Sequence, residues 1–406
     1  MSYKPLKIIK YMNAGKNEEE YQKRFHSFGA IHTNLYPHLS KREEFKTSQY
    51  ELFSVPLTEI QLLTEEITRN STRIKDLADL LPQVAKEQFY REQLYQSVIS
   101  TDEIEGIKTT RREAADALKS LADARKEKVR LASTIRLYDD IRKDSFLAID
   151  KLEVIRQIYD ELTDGEIAPE DQLDGQLFRN SPVSVVDANK NKTEHVPPIS
   201  EQQIKTMLQA WISFINDGQF PVLIKAFLAH YSFENVHPFY DGNGRTGRYI
   251  LSRYLARRLD IYSGLVMSQQ INQDKKKYYQ AFKITGDADN KAEGTFFVQA
   301  LMEILRDGQE TIILTLEGKR SILEEYSEEL AQSDYTDLER SILFLLYQSK
   351  VFVDDSADRL TDNDIIAILS HDHPKLAIKR TIDQLEKDGI LLLTAQRPKR
   401  HELVVK

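Results

Sequence analysis

The sequence predicts a mainly α-helical protein, interrupted by one β-hairpin and ending in a small separate domain. Three observations carry this. Apolar residues recur at the 3.6-residue period through most of the first three quarters of the chain. The segment Leu177 to Pro198 breaks that period. From about Tyr335 onward, three helical patterns are followed by two strand patterns. At 406 residues the chain exceeds one ordinary core, which predicts two or three domains.

In chain order, helical stripes are clear in Leu57–Ile67, Leu94–Ile104, Ala114–Leu121, Ile204–Phe214 and Leu223–Val236. Between Leu177 and Pro198, Val183 and Val185 alternate with Pro182 and Ser184. The polar run Asp187-Ala188-Asn189-Lys190-Asn191-Lys192 follows, then His195-Val196 and a Pro197-Pro198 stop. That is a hairpin with a longish polar turn. A lone hairpin among helices buries little, so it invites a functional explanation. A further helix holds Tyr278, Tyr279 and Phe282, with Asp274 as its cap. The last segment reads as helices Leu338–Tyr347, Thr361–Leu369 (capped by Thr361 or Asp362) and Lys375–Lys387. Strands Ile390–Leu393 and Leu403–Val405 follow, around the turn Arg397-Pro398-Lys399-Arg400. Helices followed by such a two-stranded wing form a winged-helix pattern, with its boundary in the acidic stretch Glu324 to Asp334.

Composition narrows the classes. A content of 41% hydrophobic and 30% charged residues describes a globular chain, not a disordered or fibrous one. Met1 to Met12 has lysines but no apolar h-region, so no signal peptide is expected. No run of about 18 apolar residues predicts a membrane span. The chain has no cysteine, which excludes disulfides and thiolate metal sites. A cytoplasmic location fits this composition. The net charge of −8 removes the global argument for a nucleic-acid binder.

The chemistry concentrates in His237-Pro238-Phe239-Tyr240-Asp241-Gly242-Asn243-Gly244-Arg245-Thr246-Gly247-Arg248. Pro238 disfavours helix at His237 and opens a loop. Gly242 and Gly244 allow unusual backbone angles and close approach of backbone N–H groups to a ligand. A second helix begins near Arg245, so its free N–H groups and dipole face the loop as an anion site. Arg245 and Arg248 share a face of its first turn, where cations are unfavourable unless something anionic compensates them. A polyphosphate would do so. Phosphate would in turn repel Asp241 unless a cation such as Mg²⁺ bridged them. His237 is the natural general base, and Phe239 anchors the loop.

These residues resemble the HPFx(D/E)GNGRxxR signature of the Fic family at every fixed position. The resemblance implies a Fic-type helical core and a protein adenylyltransferase, moving AMP from ATP to a Tyr, Thr or Ser hydroxyl of a protein and releasing pyrophosphate. His237 would deprotonate the hydroxyl, and Asp241 would hold Mg²⁺ on the α- and β-phosphates. The Gly242-Asn243-Gly244 backbone would form the anion hole, and Arg245 and Arg248 would clamp the β- and γ-phosphates. Thr246 and Gly247 complete the expected nucleotide-binding stretch. Gly244 places the chain with the AMP-transferring branch, since the kinase-like branch carries a bulkier residue there. The hairpin matches the family's flap, which pairs with the target's backbone as an added strand; a purely stabilising hairpin is the alternative. Tyr279, pointing roughly 100° away from the core pair Tyr278 and Phe282, stands where the family contacts adenine, with a second packed aromatic as the alternative.

Upstream, Thr101-Asp102-Glu103-Ile104-Glu105-Gly106 matches (S/T)xxxE(G/N). Beside a Fic motif this implies an inhibitory helix whose Glu105 pairs with Arg248 and displaces the γ-phosphate. The same glutamate could position a water that removes AMP from a modified target. The expected domains are residues 1–125 (N-terminal, with the inhibitory helix), 126–325 (catalytic core) and 334–406 (winged helix). Lys375, Lys379, Arg380 and Lys387, with Arg397, Lys399 and Arg400, offer a DNA-contacting surface; protein contact is the alternative. The expected partners are a target protein, the chain itself as target or homodimer partner, and DNA, with no membrane. Two rival activities are kept: an ATP-sensing DNA-binding regulator, and transfer of a different phosphate-containing group.

Overall fold

The computed structural model describes residues 3–13, 15–121, 129–143, 148–187 and 192–404. The chain starts with helices α1 (Leu6–Met12) and α2 (Lys16–Phe25). Short strands β1 (Ile31–His32), β2 (Leu39–Lys41), β3 (Glu44–Thr47) and β4 (Phe53–Ser54) follow. Next come α3 (Thr58–Asp79), α4 (Gln83–Ile104), α5 (Arg111–Leu121), α6 (Ala132–Asp139) and α7 (Leu152–Leu162), then the hairpin β5 (Val185–Asp187) and β6 (Lys192–His195). The succession α8 (Glu201–Asn216), α9 (Val222–Val236), α10 (Asn243–Arg258), α11 (Ile261–Gln273), α12 (Lys275–Gly286) and α13 (Thr295–Ala331) leads to the C-terminal elements. These are α14 (Asp337–Phe352), α15 (Asp362–Leu369), α16 (Lys375–Lys387), β7 (Leu391–Gln396) and β8 (Lys399–Leu403). The fold is mainly α, as the periodicities predict.

The chain forms two compact units, Met1–Thr72 with Leu94–Glu310, and Arg73–Gln93 with Thr311–Lys406. In the first, α9 is buried on nearly all sides and is flanked by α8 and α10, with α11 beyond α10. Its sequence explains this: Leu223, Ile224, Phe227, Leu228, Tyr231 and Phe233 leave no polar face wide enough for solvent. Trp211 of α8 fills the α8–α9 seam and donates Nε1–H to Ala229 O at 2.7 Å. Ser200 caps α8 by accepting from Gln203 N.

The second unit contains the three helices and antiparallel pair that the sequence predicts, packed around Ile342, Leu346, Ile365, Ile378, Ile382 and Leu385. Thr336 and Thr361 each form a capping box, with Glu339 and Asp364. The acidic stretch Glu324 to Asp334 lies largely within α13.

Several expectations are corrected. Leu177 to Pro198 is not the only non-helical stretch early in the chain, because β1 pairs with β4 and β2 with β3. These strands have two to four residues, too few for alternation to show. The hairpin starts at Val185, so Val183 lies outside it; residues 188–191 of its turn, the 125/126 boundary and Val405 fall outside the described residues. Asp274 sits at the N-cap position of α12 without a capping bond, and accepts from Gln270 Nε2 instead. Lys399 and Arg400 belong to β8, not to a turn. Lys399 pairs with Asp383 at 2.9 Å, and Arg400 is buried against the carbonyls of Ala357 and Arg359. No helix among the described residues is long and apolar enough to cross a membrane.

Trp211→Ala is expected to cost about 3–5 kcal/mol of stability, the usual price of emptying a buried aromatic site. Thermal unfolding followed by circular dichroism checks this, and Trp211→Phe should recover most of the loss.

Candidate active site

The helix α9 ends where the sequence changes character. His237 is its C-cap and takes a left-handed conformation, φ 48° and ψ 63°. The loop is then fixed from inside. Phe239 is fully buried and stacks on Tyr159 of α7, ring centroids 3.7 Å apart and 12° from parallel. Asn243 closes the loop with both ends of its amide, accepting from Phe239 N at 2.9 Å and donating to Phe239 O at 2.8 Å. Its side chain is thus committed inward, leaving only its backbone to face a ligand.

Gly242 is the N-cap of α10 with φ 77°, a conformation that strains any residue bearing a Cβ. At Gly244 a Cβ would lie 2.2 Å from Glu105 Oε1 and 2.7 Å from Arg248 Nη1, so a side chain there would displace the Glu105 carboxylate. The Glu105 carboxylate therefore rests against the bare backbone at the start of α10, where N–H groups and dipole favour an anion.

Both motif arginines are almost wholly buried. Arg248 Nη2 donates to Glu105 Oε1 at 2.6 Å and to Thr101 O at 3.1 Å, while its Nε donates to the Thr101 hydroxyl at 2.8 Å. Burial works against its charge, but Glu105, Tyr278 and Glu234 more than restore it, and its pKa is raised. Arg245 pairs with Glu166 at 2.5 Å and more loosely with Asp241 at 3.5 Å; its Nε is buried with no partner among the described residues. Glu166 also accepts from Arg130 at 3.0 Å, which in turn reaches Glu113 and Asp102. Glu105 is placed by the end of α4. Gly106 turns the chain with φ 79°, and Ile107 N–H returns to Asp102 O at 2.9 Å.

The other expected residues fall into two groups. Asp241 is half exposed beside the loop, accepting from Gly242 N at 2.7 Å. Tyr279 is 44% exposed and close enough to Glu105 and Arg248 for their charges to act on its phenol. Thr246 and Gly247 face inward instead. The Thr246 hydroxyl donates to Gly242 O at 2.9 Å, and a Cβ at Gly247 would lie 2.1 Å from Glu234 Oε1. They hold α10 in place and against α9.

Sequence reasoning missed Thr101 as an arginine ligand, Glu166, Glu234, Arg179 and Asp174. Asp174 accepts from the Tyr240 hydroxyl (2.7 Å) and Asn180 N (2.6 Å); these bonds hold it at about 2. Tyr240 in turn accepts from Ser181 N, tying the segment before the hairpin to the motif. Only the motif position of Tyr240 hinted at any of this.

For a Mg²⁺ ion the loop offers the Asp241 carboxylate, whose own pairing with Arg245 is loose at 3.5 Å. No group of three His, Cys, Asp or Glu residues suited to a metal occurs among the described residues. That donor set does not make a resident metal cage, but it fits an ion that arrives on a polyphosphate and takes most of its ligands from phosphate and water. The unpartnered Arg245 Nε and the bare backbone at Gly244 suit the same anion.

Burial, then the neighbouring His195 and Arg179, pull His237 down to about 3. Burial likewise lowers His230 to about 3, His195 to about 4, and His38. Glu234 moves the other way, pushed by burial to about 8. Between pH 6.5 and 5 the unfolded chain protonates these histidines while the folded chain keeps His237, His230 and His195 neutral, so stability falls as pH falls. Glu234 opposes this, because it keeps its proton when folded and loses it when unfolded, and so does His401, whose imidazolium is held against burial by Asp362 and Glu386. His237, His230 and His195 outnumber these two. Thermal unfolding should therefore show the melting temperature dropping from pH 6.5 to 5, and His230→Gln should flatten the slope.

Residues 148–255 match the Fic/DOC family. The protein adenylyltransferase Fic of Aedes aegypti is 29% identical over 153 residues, 37% of this chain and 26% of the relative. That of Drosophila grimshawi is 30% identical over 145 residues, 35% of this chain and 27% of the relative. The chain thus spans about a quarter of the length of the curated relatives it matches. In fold, it is similar to a Fic family protein from Desulfovibrio desulfuricans G20, with TM-score 0.51 and 18% identity, covering 86% of this chain and 97% of that one. The chain carries a Fic/DOC family domain, and His237–Arg248 lies within it.

Proposed function

We propose that this protein is an adenylyltransferase that moves AMP from ATP to a hydroxyl side chain of a target protein, held inactive by its own Glu105. The observation that carries the reading is the Glu105–Arg248 pair at 2.6 Å, against the glycine backbone that would cradle a phosphate. The relatives named protein adenylyltransferase support the reaction class.

In the reaction the target's hydroxyl oxygen forms a bond to the α-phosphorus, and the bond from that phosphorus to the β-phosphate oxygen breaks. Pyrophosphate leaves, and the hydroxyl proton passes to the His237 imidazole. The low pKa of His237 keeps its ring neutral and able to accept. Arg245 and Arg248 orient the β- and γ-phosphates, and the backbone from Gly242 to Gly244 donates to them. Asp241 would hold Mg²⁺, which supplies charge neutralisation when bound with the nucleotide. Tyr279 would face the base. The β5–β6 hairpin would accept the target as an added strand; the exposed Val186 lies on it.

Glu105 competes with the γ-phosphate for Arg248 and repels it. Its side chain is partly exposed, so its withdrawal needs no unfolding. The C-terminal unit would serve recruitment, through protein or DNA, with exposed Lys375, Lys379 and Arg380 on α16. Lys399 and Arg400 are spent on internal partners, which weakens the case for a DNA-binding wing.

Glu105→Gly should raise transfer of labelled AMP from ATP to the protein itself at least tenfold, a loss of inhibition worth at least about 1.4 kcal/mol. Glu105→Gly/His237→Ala should abolish it. Glu105→Gly should also melt at lower temperature than the parent, because the Arg248 charge loses its partner, and ATP with Mg²⁺ should restore part of the loss. Absence of any gain in transfer would sink the inhibitory role of Glu105.

A further inference from the structure

Arg179 is 0% exposed, and among the described residues no carboxylate forms an ion pair with it. Asp174 and Tyr240 act on it only from a distance, and burial draws its pKa down to about 10. A buried cation without an acid is costly unless its donors are satisfied. Here they go to carbonyl oxygens. Nε donates to His237 O at 2.8 Å, Nη1 to Ser181 O at 2.9 Å, and Nη2 reaches Val236 O at 3.5 Å. The Arg179 backbone N–H donates to Pro238 O at 3.0 Å.

These carbonyls are the end of α9 and the start of the catalytic loop. The last carbonyls of a helix lack intrahelical donors, and the dipole there favours a cation. Arg179 supplies both, and His195 of β6 completes the set by bonding Asn235 O through Nε2 at 2.7 Å. His237 holds a left-handed backbone without being glycine, a conformation that costs on the order of 1–2 kcal/mol and must be fixed from outside.

We propose that Arg179 is a positioning residue for His237, its buried guanidinium clamping the carbonyls of Val236 and His237 so that the imidazole is fixed in place, and tying that carbonyl through Ser181 to the base of the hairpin. The proposal rests on His237 being the base of the transfer reaction. The groups facing His237 are His195 from β6, Arg179, and the Glu234 carbonyl within α9; His195 itself faces His38 and Arg179. Burial is the larger reason these three histidines stay neutral, and the fixed positive charge of Arg179 adds to it. Lysine would retain the charge but not the fork that spans several carbonyls.

The test uses the full chain carrying Glu105→Gly, with Arg179→Lys or Arg179→Met added. Three quantities are read: kcat and KM for ATP in AMP transfer, the pH profile of kcat/KM, and the His237 ring titration by NMR without nucleotide. Arg179→Met should lower kcat by on the order of 10- to 100-fold with KM nearly unchanged, and move both the acid limb and the His237 titration to higher pH. Arg179→Lys should keep the limb and the titration in place while recovering only part of kcat. Unchanged kcat in either variant overturns the proposal. So does a loss of kcat in Arg179→Met without movement of the His237 titration, which would leave Arg179 a purely structural residue. If Arg179→Met does not fold, Arg179→Lys decides alone: reduced kcat with an unmoved limb is expected, and wild-type kcat refutes. Should no variant transfer AMP, the reading of the reaction fails, while the His237 titration still tests the Arg179 charge.

Discussion

Two guanidinium groups are buried at the N-terminus of α10, where the helix dipole and the lack of water both oppose positive charge. Leaving either without an anion would cost on the order of 3–5 kcal/mol. The surrounding structure answers that demand with carboxylates drawn from distant parts of the chain: Glu105 from the end of α4 for Arg248, and Glu166 from the segment after α7 for Arg245. On the proposed reading, the site is a contest for these two fixed positive charges between side chains of the protein and the phosphates of a nucleotide. Thr101 sharpens this, since its hydroxyl and carbonyl hold Arg248 in the orientation that meets Glu105.

The loop from His237 to Gly242 is held by packing and by hydrogen bonds that leave little freedom. Phe239 stacked on Tyr159, the Asn243 amide bridging Phe239, and Arg179 on the carbonyls of α9 fix the backbone from three directions. On the proposed reading, such restraint suits His237 as a proton acceptor that must meet a hydroxyl in one geometry. The hairpin is joined to the same loop through Ser181, Tyr240 and Asp174. On the proposed reading, a strand docked there would be registered against His237.

Much of this was legible in the sequence. The long helices announce themselves by apolar period, and the twelve-residue motif by an improbable concentration of His, Asp, Gly and Arg. Even the Glu105–Arg248 pair follows once the Thr101–Gly106 pattern is set beside the motif. What stayed hidden depends on contacts between residues far apart in the chain. Glu166 and Arg179 sit in stretches with no period or motif of their own, and their roles appear only when the fold brings them to α10 and α9. The strands between Ile31 and Ser54 are too short to alternate. Lys399 and Arg400 read as free wing cations, and only tertiary structure reveals Asp383 and the carbonyls that occupy them.

The central claim is that the Glu105 carboxylate holds the place of the terminal phosphate on Arg248. Isothermal titration of ATP and of ADP, each with Mg²⁺, into the parent protein and into Glu105→Gly tests it directly. Only ATP carries the γ-phosphate, so removing the carboxylate should tighten ATP binding more than ADP binding. An equal change for the two nucleotides, or none, would contradict the account.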